Sequence, residues 1–396
     1  MKDGRGAKMG RRKRNAVNSR RRISDEKDEC LLPGLLDEIV LDHVVPKLPW
    51  QALYILSLVN RSWLEANRSR RTYEARVRSD STEMFYVISL DCPGTLCLCP
   101  MSNHFWRELP QFPGYEYDEL PTDCQYISGD GKLYVLGGWS SDEEGGEVYV
   151  LDIAGQRQWK QCAKMPIPRH SFGCGVVGGK IYVYGGFIGC DSRKPARKSL
   201  VYDPEANVWS SIRPMKRSSS TLRVVALGKE LFVHSDLAGI EVYHVEKDEW
   251  RSLEPWQKHL DKKDKWIRLH EWQETEYLFS ETEKLFTAQG KLHMATPAGI
   301  YVHGTRSEGD CSWTLLHSYD GFDESYNEIG GRGPHGEIQS IDVLAGNGEL
   351  VALVTYEYAS SVYECQGFGS EEEVLEWDIV SAGIVDVSPF MCSVHL

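Results

Sequence analysis

Small polar residues recur at one phase along this 396-residue chain. Asp123, Ser171, Ser220, Thr282 and Ser340 each stand eight residues before a glycine: Gly131, Gly179, Gly228, Gly290 and Gly348. Arg169 and His170 precede the second of them, and Arg217 lies near the third. Side chains of these types do recognition chemistry: hydroxyl and carboxylate groups form hydrogen bonds, while guanidinium and imidazole add donors and charge. Positions that merely face trapped water satisfy the same periodicity, because loops carry function in general without every loop residue doing so. Catalytic constellations look different. No Gly-x-Ser-x-Gly, phosphate-loop or His-Glu-x-x-His motif occurs. A copper centre needs clustered His and Tyr ligands, whereas the 12 histidines are scattered. We expect no enzyme, no metal site and no cofactor.

The glycines that set this phase also open a repeat. Gly131-Lys132-Leu133-Tyr134-Val135-Leu136-Gly137-Gly138 is echoed by Gly179-Lys180-Ile181-Tyr182-Val183-Tyr184-Gly185-Gly186, and weaker copies begin at Gly228, Gly290 and Gly348. Successive starts are 48, 49, 62 and 58 residues apart. After each of the first three comes a second apolar run leading to Trp159, Trp209 or Trp250, and Trp106 and Trp313 fit the same slot. Short apolar runs bounded by turn residues make strands buried between neighbouring sheets. A Gly-Gly pair leaves no Cβ where strands crowd together and the chain turns. Asp203-Pro204-Glu205-Ala206-Asn207 is a turn, since Pro excludes helix and Asn tolerates a left-handed bend. A repeat of this period predicts one small sheet per unit, arranged around a centre. The polar positions then fall where the chain descends from a loop into an inner strand. An earlier unit, from Met84 to Trp106, lacks the glycine pair. Counting it predicts six units, with five or seven as alternatives. Strands around Ile384-Val385-Asp386-Val387 are expected to pair with the first unit, which removes exposed edges. Residues 254–280 exceed the repeat and read as an extended loop.

Ahead of the repeats, residues 31–78 are patterned as helices. Leu32, Leu35, Leu36, Ile39 and Val40 recur at helical spacing. Pro33 fits a first turn, where its missing N–H is no loss, and Pro46 ends the helix. Leu48-Pro49 starts a second helix with Leu53, Leu56 and Val59, and residues 62–78 around Trp63 read as a third. So small a helical unit leaves most of its surface wet. It therefore caps the larger domain or docks on another protein.

The order Leu32-Pro33, Leu36, Ile39, Leu48-Pro49, Leu53, Leu56, Val59, Trp63 resembles the F-box, the helical motif that docks on Skp1-type adaptors. Two positions depart from it. Asn60-Arg61 stands where that family often has a cysteine and a basic residue, and Gly34-Leu35 where an acidic residue often follows Leu-Pro. Neither removes an apolar anchor. The Gly-Gly strand followed by Tyr and Trp resembles the kelch repeat, well in the second and third units and weakly elsewhere. Together they resemble the plant F-box/kelch-repeat proteins over residues 31–396. The resemblance implies a mainly β fold: a six-bladed kelch-type β-propeller over residues 84–396, preceded by a small three-helix F-box over 31–78. It also implies a substrate-recognition adaptor of an SCF-type ubiquitin ligase. The anchors just named would hold a Skp1-like protein and through it a cullin. The polar and basic positions of the repeats would ring the propeller mouth and bind the protein to be ubiquitinated. The rival is a propeller scaffold or sensor acting without a ligase. Contacts of Leu36, Ile39, Leu48 and Leu53 with the propeller would favour the rival, and an open apolar face would favour docking.

Charge is divided unevenly. Residues 1–30 carry 11 Lys/Arg against 5 Asp/Glu, a net of +6, while the other 366 carry 34 against 53, a net of −19. An acidic body has no general attraction for nucleic-acid phosphate and favours a partner with a basic patch. Arg11-Arg12-Lys13-Arg14 and Arg20-Arg21-Arg22 read as a two-cluster nuclear import signal, or as a solvated disordered tail too poor in apolar residues to fold. The first thirty residues lack an apolar secretory core, and no stretch reaches the roughly 18 apolar residues of a membrane helix. Eleven cysteines without a Cys-x-x-Cys pair predict reduced, mostly buried thiols. The expected location is nucleus and/or cytoplasm, with no membrane contact.

Overall fold

The computed structural model describes residues 30–79 and, between 84 and 395, all but a set of shorter stretches, the longest being 254–283 and 319–337. The basic tail therefore lies outside the described residues, as does the 254–280 insertion.

The first Leu-Pro stretch turns rather than coils, and the Leu31 N–H donates to Asp37 Oδ1 at 2.8 Å. Helix α1 (Asp37–Ile39) then runs on through a wide π turn over Val40–Val44 and a tight one over Val45–Lys47 that holds Pro46. Helix α2 (Trp50–Ser57) starts directly after Pro49. The single third helix expected over 62–78 is two, α3 (Arg61–Asn67) and α4 (Arg70–Arg78). The break has a local cause: Ser69 Oγ accepts from the Thr72 N–H at 3.2 Å and caps α4. Asn60, one of the two departures from the F-box pattern, caps α3 by accepting from the Trp63 N–H at 2.9 Å. Leu31, Val40, Val45, Leu53, Trp63 and Ala66 form the core of this unit, with Leu32, Leu41, Val44, Leu48 and Leu56 packed beside them.

From Met84 on, the elements are strands. Among the described residues they make six four-stranded antiparallel sheets. The second sheet is Gln125–Gly129, Lys132–Leu136, Val148–Asp152 and Trp159–Gln161; the third is Gly173–Val177, Lys180–Tyr184, Ser199–Asp203 and Val208–Ile212. The fourth is Leu222–Leu227, Glu230–Ser235, Gly239–His244 and Glu249–Ser252, and the fifth and sixth lie within residues 284–318 and 338–384. The first sheet takes a strand from the far end of the chain: Met391–His395 pairs antiparallel with Met84–Leu90, Cys392 opposite Val87. This corrects the expectation of a partner around Ile384–Val387. Asp378–Ile384 is needed as the fourth strand of the sixth sheet, where it pairs with Ser360–Gln366; residues 385–387 lie outside the described residues. The edge strands Gln125–Gly129, Gly173–Val177, Leu222–Leu227, Lys284–Ala288 and Ile338–Gly346 of successive sheets lie against one another, and the last lies against Met391–His395.

The core repeats between sheets. Tyr134, Leu136 and Val148 of the second pack with Ile181, Val183 and Leu200 of the third. Tyr182 and Tyr184 meet Leu231, Val233 and Tyr243 of the fourth, and Phe232 and Val242 meet Leu285, Met294 and Trp313 of the fifth. Three of the expected tryptophan wedges also fasten their sheet to the one before. The indole N–H of Trp159 donates to the Pro110 carbonyl at 2.8 Å, Trp209 to Ala163 at 2.8 Å and Trp250 to Arg213 at 3.1 Å. Close approach also explains the glycine pairs. A Cβ on Gly137 would stand 2.5 Å from the Arg169 carbonyl oxygen of the next sheet and 2.7 Å from the Phe172 ring.

Candidate functional site

The structure brings three of the polar positions together at the start of the second and third sheets. Asp123 and Ser171, equivalent in the repeat, both adopt left-handed backbone, φ 56° and 51°. The Ser171 N–H donates to the Asp123 carbonyl at 3.0 Å, which ties the two sheets at this point. His170 lies between them, its Nδ1 3.1 Å from Ser171 Oγ and 3.7 Å from Asp123 Oδ2. Its ring also faces Phe187, centroids 5.5 Å apart, across a short ladder in which Arg169–His170 pairs with Phe187–Ile188. The Asp123 side chain is 61% exposed and Ile188 is exposed, so the cluster opens to solvent with a carboxylate, an imidazole edge and an apolar side chain. Ser171 and Asp123 both approach the same ring nitrogen. A proton relay from a serine through opposite sides of the imidazole to a carboxylate is therefore not built here. What the arrangement can do is accept and donate hydrogen bonds to an incoming surface.

Arg169 does something else. It is 1% exposed, and its guanidinium donates to the carbonyls of Gly185 at 3.0 Å, Lys198 at 2.9 Å and Ile167 at 3.4 Å. Burial lowers its pKa to about 10, which leaves it charged at neutral pH. It holds the third sheet together from inside and offers nothing to a ligand, so its expected place at the mouth is corrected. Arg217, Ser220 and Thr282 lie outside the described residues, and Ser340 sits in the first strand of the sixth sheet, opposite Thr355. Phe187 and Ile188 were not anticipated. Their signal was present in the sequence as apolar residues directly after the second glycine pair. Among the described residues no three His, Cys, Asp or Glu side chains are grouped to hold a metal ion, and no helix is long and apolar enough to cross a membrane.

The second candidate surface is on the helices. Of the ten anchors, Leu53 and Trp63 are buried inside the helical unit, and Leu32, Leu48 and Leu56 are half-buried against that core. These shape the unit. Pro33, Leu36, Ile39, Pro49 and Val59 are exposed, Leu36 by 68% and Val59 by 63%. Three further exposed residues join them: Leu35, Ile55 and Leu58. Ile55, Leu58 and Val59 stand three and four residues apart, so they share one side of α2 and its last turn. That spacing was readable in the sequence and went unused.

A family description for the kelch motif matches residues 122–166 and 168–216, which contain the second and third sheets. The F-box/kelch-repeat protein SKIP30 of Arabidopsis thaliana is 31% identical over 236 residues, 55% of this chain and 66% of that protein. A second Arabidopsis thaliana F-box/kelch-repeat protein, At2g44130, is 28% identical over 239 residues, 51% of this chain and 57% of the relative. The human Kelch repeat and BTB domain-containing protein 12 is 30% identical over 173 residues, 38% of this chain and 26% of its own. The chain thus spans two thirds or less of each of these relatives. Its four N-terminal helices fit an F-box and its strands carry kelch motifs, and with these matches the chain is a relative of the plant F-box/kelch-repeat proteins.

Proposed function

We propose that this chain is the substrate-recognition adaptor of an SCF-type ubiquitin ligase, without catalytic activity of its own. Residues 31–78 are its F-box and dock on a Skp1-like protein, and through it on a cullin. Residues 84–396 are a closed six-bladed propeller whose mouth, around Asp123, His170 and Ser171, binds the protein to be ubiquitinated. The observation that carries the docking half is the apolar set Leu35, Leu36, Ile39, Ile55, Leu58 and Val59, open to solvent on a unit whose core is filled by Leu31, Val40, Val45, Leu53, Trp63 and Ala66. Monomeric proteins rarely leave such a surface uncovered. Support for the closed ring comes from the contacts between successive innermost strands and from Met391–His395 completing the first sheet, since closure leaves no edge strand to aggregate.

The test is binding of a purified Skp1-type protein to the full chain and to a Leu36→Asp/Val59→Asp variant. Retention by the wild type alone, with both proteins equally folded by circular dichroism, supports docking. Equal retention would move the docking surface elsewhere, and no retention would leave a propeller scaffold or sensor acting without a ligase. The reading also carries an expected location in nucleus and/or cytoplasm, which the basic clusters at 11–14 and 20–22 motivate.

A further inference from the structure

Four hairpins between the first and second strands of their sheets turn on a left-handed glycine: Gly131 (φ 68°), Gly179 (74°), Gly228 (61°) and Gly290 (69°). At Gly179, Gly228 and Gly290 nothing lies within 4 Å of where a Cβ would stand. At Gly131 that space is filled, by Ala154 Cβ at 2.7 Å and by the Tyr73 ring at 2.9 Å. Tyr73 belongs to helix α4 and is 8% exposed. Arg70, one turn earlier, donates to the Asp130 backbone carbonyl at 2.9 Å and pairs with the Asp130 carboxylate. The same guanidinium stacks over the Tyr73 ring, 4.7 Å from its centroid. Of these four equivalent turns, only one is covered, and α4 covers it.

Its position matters. The strand Gln125–Gly129 begins beside Asp123 and ends at this turn. Five residues at about 3.3 Å each put the turn roughly 17 Å from the mouth cluster, at the opposite end of the second sheet. We infer that α4 is a latch that holds the helical docking unit rigidly to the second sheet, at the end opposite the mouth. Its use rests on the adaptor reading: a partner on the helices and a substrate at the mouth are kept at opposite ends of one rigid body. The latch itself is independent of any partner.

Hydrogen exchange followed by mass spectrometry on the full chain, without a partner, tests it. In the wild type the Gly131 turn exchanges more slowly than the Gly179 and Gly228 turns. Arg70→Ala speeds exchange at the Gly131 turn and in α4 together, by about ten-fold, as expected for a locally opening unit, and leaves the other two turns unchanged. Asp130→Asn, which does not touch the packing of the helices, gives the same pattern at smaller size. A Gly131 turn that exchanges as fast as its counterparts in the wild type overturns the latch. So does protection lost in α4 alone in both variants. Neither result depends on Skp1 binding, so failure of the latch and failure of the adaptor reading are separable.

Discussion

Asn207 Oδ1 accepts from two donors, the Ala163 N–H of the preceding sheet at 2.8 Å and the Tyr202 hydroxyl at 2.7 Å. Asp248 repeats the arrangement with the Arg213 N–H at 3.0 Å and the Tyr243 hydroxyl at 2.7 Å. Both residues are left-handed, φ 54° and 50°, so glycine is the substitution that isolates the side chain. Asn207→Gly should lower the unfolding free energy by about 1–2 kcal/mol, read by urea denaturation. In the second sheet the left-handed position holds Arg157 and the tyrosine is replaced by Leu151, so Arg157→Gly should cost less. Arg169→Met leaves three carbonyls without their donor and should cost about 3 kcal/mol. Arg169→Lys should not rescue it, because a single ammonium cannot reproduce the spread of a guanidinium. The turn residue Asn207 was legible from its neighbours Asp203-Pro204. The role of Arg169 was not, because an arginine beside a polar loop reads as a ligand group until its burial is known.

Helices α1 and α4 are tied by charge. Asp42 in the π turn after α1 meets Arg71 Nη2 at 2.7 Å and Arg78 Nη2 at 3.5 Å. The hydrogen bond from Arg71 is the main influence holding the Asp42 pKa below its ordinary value. A depressed carboxylate stabilises the fold at pH above the unfolded value of about 3.9, and the contribution is lost as pH falls through the lower folded value. Helical circular dichroism of the chain should therefore show a loss on acidification below about pH 4 that is smaller in Asp42→Asn. At this scale the F-box pattern was legible as a set of apolar anchors, but not as two populations. A short helical unit places some of its leucines in its own core and others outside, and spacing alone does not separate Leu53 from Leu36. The break between α3 and α4 was missed because Ser69 sits among arginines, where a cap is easily taken for a surface residue.

For the whole molecule, the strand Met391–His395 has the largest leverage. It is an edge strand of a sheet whose other members lie at the opposite end of the sequence. A chain ending at Pro389 should leave Met84–Leu90 with an unpaired edge, aggregate more readily and melt at lower temperature, which light scattering and thermal denaturation will read. The repeat made five units legible, because the glycine-led strand recurs even where its second glycine is lost, and the first was counted only from the Met84 to Trp106 segment. Which late strand joins the first sheet was hidden, since any apolar segment near the end of the chain satisfies the pattern equally. Among the polar positions, periodicity brought out Asp123 and Ser171 together, because equivalent positions in neighbouring sheets adjoin, and His170 followed as the neighbour of Ser171.

The proposed function stands on docking of the exposed apolar residues of the helical unit on a Skp1-type adaptor. A pulldown of the full chain with that protein, with Leu36→Asp/Val59→Asp beside it and folding checked by circular dichroism, tests it most directly. Docking through this surface gives capture by the wild type and at least about ten-fold weaker capture by the variant, the size of effect expected when a charge enters an apolar contact. A well-folded wild type that captures none of the adaptor would contradict it.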